Sequence, residues 1–175
     1  MALFYLIRHG ETNWAINEKY LLRGEYRDLP PLTSTGIQQV KDLSNEARLK
    51  EAEFILSSPY TRTLQTAAIL SKNLNLDISV ELNLREWQPD LNLEISNLIQ
   101  LQDAIDDYVR ENGKYPSGIT KTWEEKSALK ERVEGVLKKY SDYGYVIVVT
   151  HEQVIKSLVN DHHIPYCSIN EFELV

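Results

Sequence analysis

The run Tyr145-Val146-Ile147-Val148-Val149-Thr150 constrains this chain more than any other stretch. β-prone apolar residues follow one another without polar alternation, the pattern of a strand covered on both faces in the middle of a parallel sheet. Parallel strands need crossover connections, usually helices that pack on the two faces of the sheet. The rest of the chain supplies both. Leu3 to Ile7 and Glu53 to Ser57 are further apolar strands, and Ile78-Ser79-Val80-Glu81 is a weak one. Helical spacing appears in Ile37, Val40, Leu43 and Ala47, after the N-cap candidates of Leu32-Thr33-Ser34-Thr35-Gly36. It recurs from Tyr60 to about Asn73, where Ser58-Pro59 reads as a capping hydroxyl followed by a first-turn proline. It returns in Leu129, Val133, Val136, Leu137 and Tyr140, then in Val154, Ile155, Leu158 and Val159. The tail from Cys167 to Leu174 suits a last edge strand. The expected fold is α/β, a mostly parallel sheet with helices on both faces.

Two segments break the alternation. Asn13 to Pro31 is irregular and reads as a loop with a short helix at its start. Between Gln88 and Lys126 one helical pattern (Leu98, Leu101, Ile105, Tyr108) precedes the breakers Asn112-Gly113 and Pro116-Ser117-Gly118. It reads as a short cap-like insertion over one end of the core, leaving residues 1–175 as one domain.

Composition narrows the function. A net charge of −7 argues against a general nucleic-acid binder, because no basic stripe is present to neutralise phosphates. Any anion site must then be a local gathering of arginines. No apolar run reaches the length of a membrane-spanning helix, and no basic segment precedes an apolar stretch at the N-terminus. With Cys167 as the single cysteine, no internal disulfide can form, so a cytoplasmic protein is expected. Cys167 has no nucleophile motif around it and reads as a structural thiol. Oligomeric state is not encoded in any readable feature.

In open α/β sheets ligands bind at the C-terminal ends of the strands. The first strand ends in Arg8-His9-Gly10, the second in Ser57-Ser58-Pro59 with Arg62 shortly after. The third leads to Glu86, and the apolar Tyr145 run ends in Thr150-His151. Two arginines, two histidines and one carboxylate therefore converge on one rim. Planar guanidinium groups suit a phosphomonoester dianion. A neutral imidazole at His9 can attack phosphorus, provided that a backbone carbonyl holds its other ring nitrogen. His151, its pKa raised by the nearby phosphate, would be protonated and stabilise charge on the transferring group. Glu86, with a pKa raised by burial against Trp87, would protonate the leaving alcohol. Asn13 and Arg23 are possible substrate-binding residues, with Arg27 and Tyr26 near the same rim. Trp14 and Trp123 read as packing residues, and His162-His163 as solvated surface without metal-ligand spacing.

This constellation resembles the histidine phosphatase superfamily, the phosphoglycerate-mutase-like proteins. The similarity spans most of the chain. Arg8-His9-Gly10-Glu11-Thr12 looks like the family signature. Leu32-Thr33 and Gly36, Ser57-Ser58-Pro59 with Arg62 and Gln65-Thr66-Ala67, Leu84-Arg85-Glu86-Trp87, and Thr150-His151 match later motifs in order. The resemblance implies a three-layer α/β/α sandwich of the phosphoglycerate-mutase-like type. It implies His9 as nucleophile, Glu86 as proton donor, and Arg8, Arg62 and His151 as the phosphate pocket. It also implies no metal and no obligatory organic cofactor. The chain departs from the family pattern at Ala15, where asparagine often follows Trp14, at the longer spacing through Pro30-Pro31, and at Glu152, where glycine usually follows His151. Glu152 would either repel an anionic substrate or point outward as the first residue of a helix. The expected activity is a metal-independent phosphomonoester hydrolase acting through a phosphohistidine on small phosphorylated metabolites. A phosphoprotein phosphatase and a non-catalytic phospho-ligand binding module are the alternatives. The short acidic insertion and modest length argue against a mutase.

Overall fold

A computed structural model describes residues 2–17 and 27–174. Five strands form one sheet in the order β3-β2-β4-β1-β5. They are β1 (Leu3–Arg8), β2 (Phe54–Ser57), β3 (Ile78–Val80), β4 (Tyr145–Thr150) and β5 (Ile169–Glu173). β1, β2, β3 and β4 are mutually parallel, and β5 closes the β1 edge antiparallel. The helices are α1 (Ser34–Leu43), α2 (Thr61–Leu74), α3 (Leu98–Arg110), α4 (Lys126–Lys138) and α5 (Glu152–Leu158).

Strand side chains alternate between two apolar clusters. Phe4, Leu6, Val146 and Val148 face α4 and α5 through Leu129, Val133, Leu137, Val154 and Ile155. Tyr5, Ile7, Ile147 and Val149 face α1 and α2 through Val40, Leu43, Ala67 and Leu70. The central run is thus covered on both faces, as its lack of alternation requires. Each fully buried aliphatic side chain there contributes about 1.5–3 kcal/mol of transfer free energy. The end of β4, and the residue that follows it, is therefore firmly placed. Trp123 is buried in the first cluster, as a packing residue should be. Ile105 and Tyr108 of α3 pack against that cluster, which seats the 88–126 segment on the α4–α5 side.

Local expectations differ at three points. The Thr33 hydroxyl caps α1 by accepting from the Gly36 amide, but Ile37 is exposed and Ala47 belongs to a separate 3-10 turn whose buried residue is Leu49. α2 begins at Thr61, with Tyr60 at its N-cap position, so Ser58 is no cap. Its hydroxyl has another partner. The short helical turn at Trp14–Asn17 stands where the irregular loop begins. Among the described residues no helix is long and apolar enough to cross a membrane.

Candidate active site

Register explains how distant residues meet. Arg8 pairs with Thr150 across β1 and β4, and Ser57 pairs with Val149 across β2 and β4. The chains leave the sheet side by side: the His9 amide donates to Thr150 O at 3.1 Å, and the Ser58 amide to Val149 O at 3.0 Å. His9, His151 and Ser58 therefore emerge together at the C-terminal ends of three adjacent strands. The His9 and His151 rings lie edge to face, with centroids 5.3 Å apart. Beyond His9 the chain passes very close to the start of α1. A Cβ on Gly36 would meet Glu11 O at 2.2 Å, and one on Gly10 would meet Gly36 O at 2.8 Å. Both glycines are required by that approach.

The protonation of His9 is legible from its contacts. Its Nδ1 lies 2.8 Å from Gly10 O, and a carbonyl can only accept, so Nδ1 carries the proton. On the other side, Arg62 Nε donates to His9 Nε2 at 3.3 Å, so Nε2 presents its lone pair. The Thr12 hydroxyl, 3.2 Å from Nδ1, closes the same side as Gly10. Burial, then the Arg62 and Arg8 charges, pull the His9 pKa down to about 3, against the opposing effect of the Gly10 bond. The ring is neutral at ordinary pH.

His151 is fully buried, and its Nε2 is 2.8 Å from the Ser58 hydroxyl. Its Nδ1 has no hydrogen-bond partner among the described residues. Burial, Arg62 and His9 push its pKa well below the usual imidazole value. The protein alone therefore holds His151 neutral, and its expected protonation needs the negative charge of a phosphate beside it. Arg8 Nε is likewise buried and without a hydrogen-bond partner among the described residues. Tyr60 and Tyr166 line the pocket: Tyr60 lies 4.9 Å from the His151 ring and 4.9 Å from the Arg62 guanidinium, and Arg8 sits 4.2 Å over the Tyr166 ring. Trp14 is exposed and lies 5.2 Å from Arg62, so it flanks the pocket rather than packing in the core.

Glu86 accepts from the Trp87 amide at 2.8 Å and from the Gln153 amide at 3.4 Å. Burial raises its pKa; the Trp87 amide and Arg62 act in the opposite sense. The segment bearing it is fastened by a pair that the sequence reading passed over. Arg132 of α4 binds both oxygens of buried Glu124, at 2.6 and 2.9 Å. It also donates to the carbonyls of Asn83 at 2.6 Å, Arg85 at 2.9 Å and Glu86 at 3.1 Å. Thr150 adds a bond from its hydroxyl to Leu84 O at 2.8 Å. Nothing in the sequence around Arg132 distinguishes it from a solvated helix charge. Ser58 belongs to the Ser57-Ser58-Pro59 motif, but its hydroxyl meets His151 instead of capping a helix.

Glu152 is the first residue of α5, yet it neither stands free beside the pocket nor points outward. One oxygen pairs with Arg8 at 2.9 Å and the other with Lys156 at 2.5 Å. The Asn13 amide nitrogen of the backbone bonds Pro31 O at 2.8 Å, and its side chain makes no hydrogen bond among the described residues. Arg23 and Tyr26 lie outside the described residues. Arg27 contributes its carbonyl, which accepts from Arg62 at 3.2 Å. His162 and His163 are exposed, and among the described residues no group of three or more His, Cys, Asp or Glu side chains could hold a metal ion. Burial drives the Cys167 thiol up to about 12, which keeps it unreactive.

Comparison with known proteins settles the kinship of this pocket. A family model described as the histidine phosphatase superfamily (branch 1) matches residues 4–174. The chain belongs to the histidine phosphatase superfamily. A relative in Enterobacter sp. (strain 638), named a probable phosphoglycerate mutase GpmB, is 30% identical over 169 residues, covering 91% of this chain and 74% of its own. The solved structure of Bacillus stearothermophilus YhfR superposes with a TM-score of 0.74 at 22% identity, over 100% of this chain and 92% of that one. The alpha-ribazole phosphatase of Shigella flexneri gives a TM-score of 0.63 at 25% identity, over 87% and 75%. Members of this superfamily thus include phosphatases that resemble the chain over most of its length.

Proposed function

We propose that the chain is a phosphomonoester hydrolase that works through a phosphohistidine at His9 on small phosphorylated metabolites. The observation that carries this reading is the fixed tautomer of His9: Gly10 O holds Nδ1, and Nε2 turns its lone pair toward Arg62. A histidine serving as a cationic ligand would need the opposite arrangement, with both nitrogens donating. Arg8 Nε and His151 Nδ1, buried and without hydrogen-bond partners among the described residues, suit the oxygens of a phosphoryl group, His151 Nδ1 as a donor once the ring is protonated.

His9 Nε2 attacks phosphorus, and the bond from phosphorus to the leaving oxygen breaks. Arg8 and Arg62 bind the equatorial oxygens, Arg62 giving up its bond to His9 Nε2 as that lone pair attacks. The dianion reverses the local field at His151, raises its pKa and makes it a charged donor, while Ser58 holds its other nitrogen. Glu86, kept protonated to higher pH by burial, delivers its proton to the leaving oxygen. Water then attacks the phosphohistidine, Glu86 takes the proton back, and phosphate departs. The 88–126 segment acts as a cap beside this pocket, within one domain. A mutase reading rests on the GpmB likeness, and phosphoglycerate isomerisation without net phosphate release would favour it.

The test is hydrolysis of a nitrophenyl phosphate ester without added metal. His9→Ala is expected to abolish it, and because a phosphoramidate is labile to acid and stable to base, a base-quenched reaction should leave phosphate on His9. Activity that survives His9→Ala, or that a chelator removes, refutes the mechanism.

A further inference from the structure

The chain between α5 and β5 crosses the rim of the pocket. Ile164 is buried in the cluster that faces α4 and α5, while Cys167 and Ile169 pack against the cluster that faces α1 and α2. The residues between them therefore pass over the end of the sheet, from one face to the other. Two bonds tie this crossing to the last residue of β1. Arg8 Nη1 donates to Ile164 O at 2.6 Å, and the Cys167 amide donates to Arg8 O at 3.0 Å. The Ser168 amide closes a turn on Pro165 O at 3.1 Å, and from Ile169 onward the chain pairs with β1 as β5. Tyr166 stands inside that turn, above the strand end that delivers Arg8 and His9.

The turn is held in an unfavourable conformation. Cys167 takes a φ of 58°, in the left-handed region that a residue with a Cβ seldom adopts. Such outliers persist where the surroundings over-determine them, and they gather at ligand sites. What this one achieves is the placement of the side chain before it. The Arg8 guanidinium lies 4.2 Å over the half-buried Tyr166 ring, and the centroids of the Tyr166 and His9 rings are 5.7 Å apart. The hydroxyl end is close enough to Arg62 to act on the charge of that guanidinium. One side chain thus supports Arg8 with its face, abuts His9 and reaches toward Arg62. Its hydroxyl makes no hydrogen bond to another described residue, so its proton is free for whatever sits among those three groups.

We propose that Tyr166 is a further phosphate-binding residue of this pocket, its hydroxyl donating to an oxygen of the bound phosphoryl group while its ring carries Arg8. The proposal rests on the reading of the pocket as a phosphate site. It adds a neutral donor, delivered by the segment before β5, to the charged groups that come from the ends of β1, β2 and β4.

Tyr166→Phe tests this, because it keeps the ring under Arg8 and removes only the donor. The full chain and the variant are titrated calorimetrically with inorganic phosphate and assayed on nitrophenyl phosphate. Phosphate is expected to bind about tenfold more weakly to the variant, the factor that one hydrogen bond to a charged group supplies, and kcat/KM should fall by about the same factor. The thermal unfolding midpoint should stay where it is, since no packing is lost; a merely structural tyrosine would leave phosphate affinity unchanged as well. Phosphate bound as tightly by Tyr166→Phe as by the native chain overturns the proposal and leaves the pocket standing. A native chain that binds phosphate no better than Arg62→Ala overturns the phosphate pocket and the Tyr166 assignment together.

Discussion

Arg132 should be the most revealing position in the molecule outside the pocket. Its guanidinium and the Glu124 carboxylate are 10% and 6% exposed, and between them they hold the strand-to-loop segment that carries Glu86. Arg132→Met removes a buried partner from Glu124 and leaves the carbonyls of Asn83, Arg85 and Glu86 without their donor. Breaking a buried ion pair from one side costs about 3–5 kcal/mol, because the remaining charge is left desolvated. The Gln88 amide, 3.2 Å from Glu124, offsets only part of that. Urea unfolding followed by circular dichroism should therefore show a loss of about 3 kcal/mol. Arg132→Met/Glu124→Leu should be less damaging than the single change, since removing both charges leaves no orphan. At permissive temperature the single variant should also lose kcat on nitrophenyl phosphate more than KM rises. The pH dependence attributed to Glu86 should shift, because its carboxylate is no longer held in place. A loss below about 1 kcal/mol, or a double variant worse than the single by simple addition, would refute the claim that this pair clamps the segment.

Two further outcomes follow from the titrating groups and from Glu152. His9 is held to about 3 and His151 well below its usual value, so the unfolded chain takes up protons that the fold refuses. Stability should fall as pH drops from about 6.5 toward 3, by about 1.4 kcal/mol per pH unit for each ring, with the raised Glu86 pKa partly opposing it. His9→Gln should flatten the urea midpoint against pH across that window, and an unchanged slope would contradict the burial argument. Glu152→Gln should change stability by less than about 1 kcal/mol, because the Arg8 pair is partly exposed. It should also tighten competitive inhibition by inorganic phosphate severalfold, since Arg8 loses a competing carboxylate; weaker inhibition would show that Glu152 instead holds Arg8 in its working position.

The chemistry of this protein was written in short stretches of sequence, because strand ends in a parallel sheet necessarily share one rim. The apolar run before His151 demanded a covered central strand, and Arg8-His9-Gly10 after another such run placed a second histidine beside it. Family kinship was readable for the same reason: the motif residues keep their order along the chain. What the sequence could not show was which side chain touches which. Ser58 read as a helix cap because hydroxyl-proline pairs usually are one, yet the β2–β4 register sets it against His151. Trp14 read as packing because large aromatic residues usually pack, yet it stands exposed beside Arg62. Glu152 read as a repelling or outward charge, and became the link between Arg8 and Lys156. Arg132 and Glu124 lie eight positions apart in the chain and close on each other only when α4 packs against the Glu86 segment. Local pattern fixes periodicity and residue chemistry, both properties of neighbours along the chain. Hydrogen-bond partners and desolvation depend on residues far apart in sequence, so only the tertiary structure could decide them.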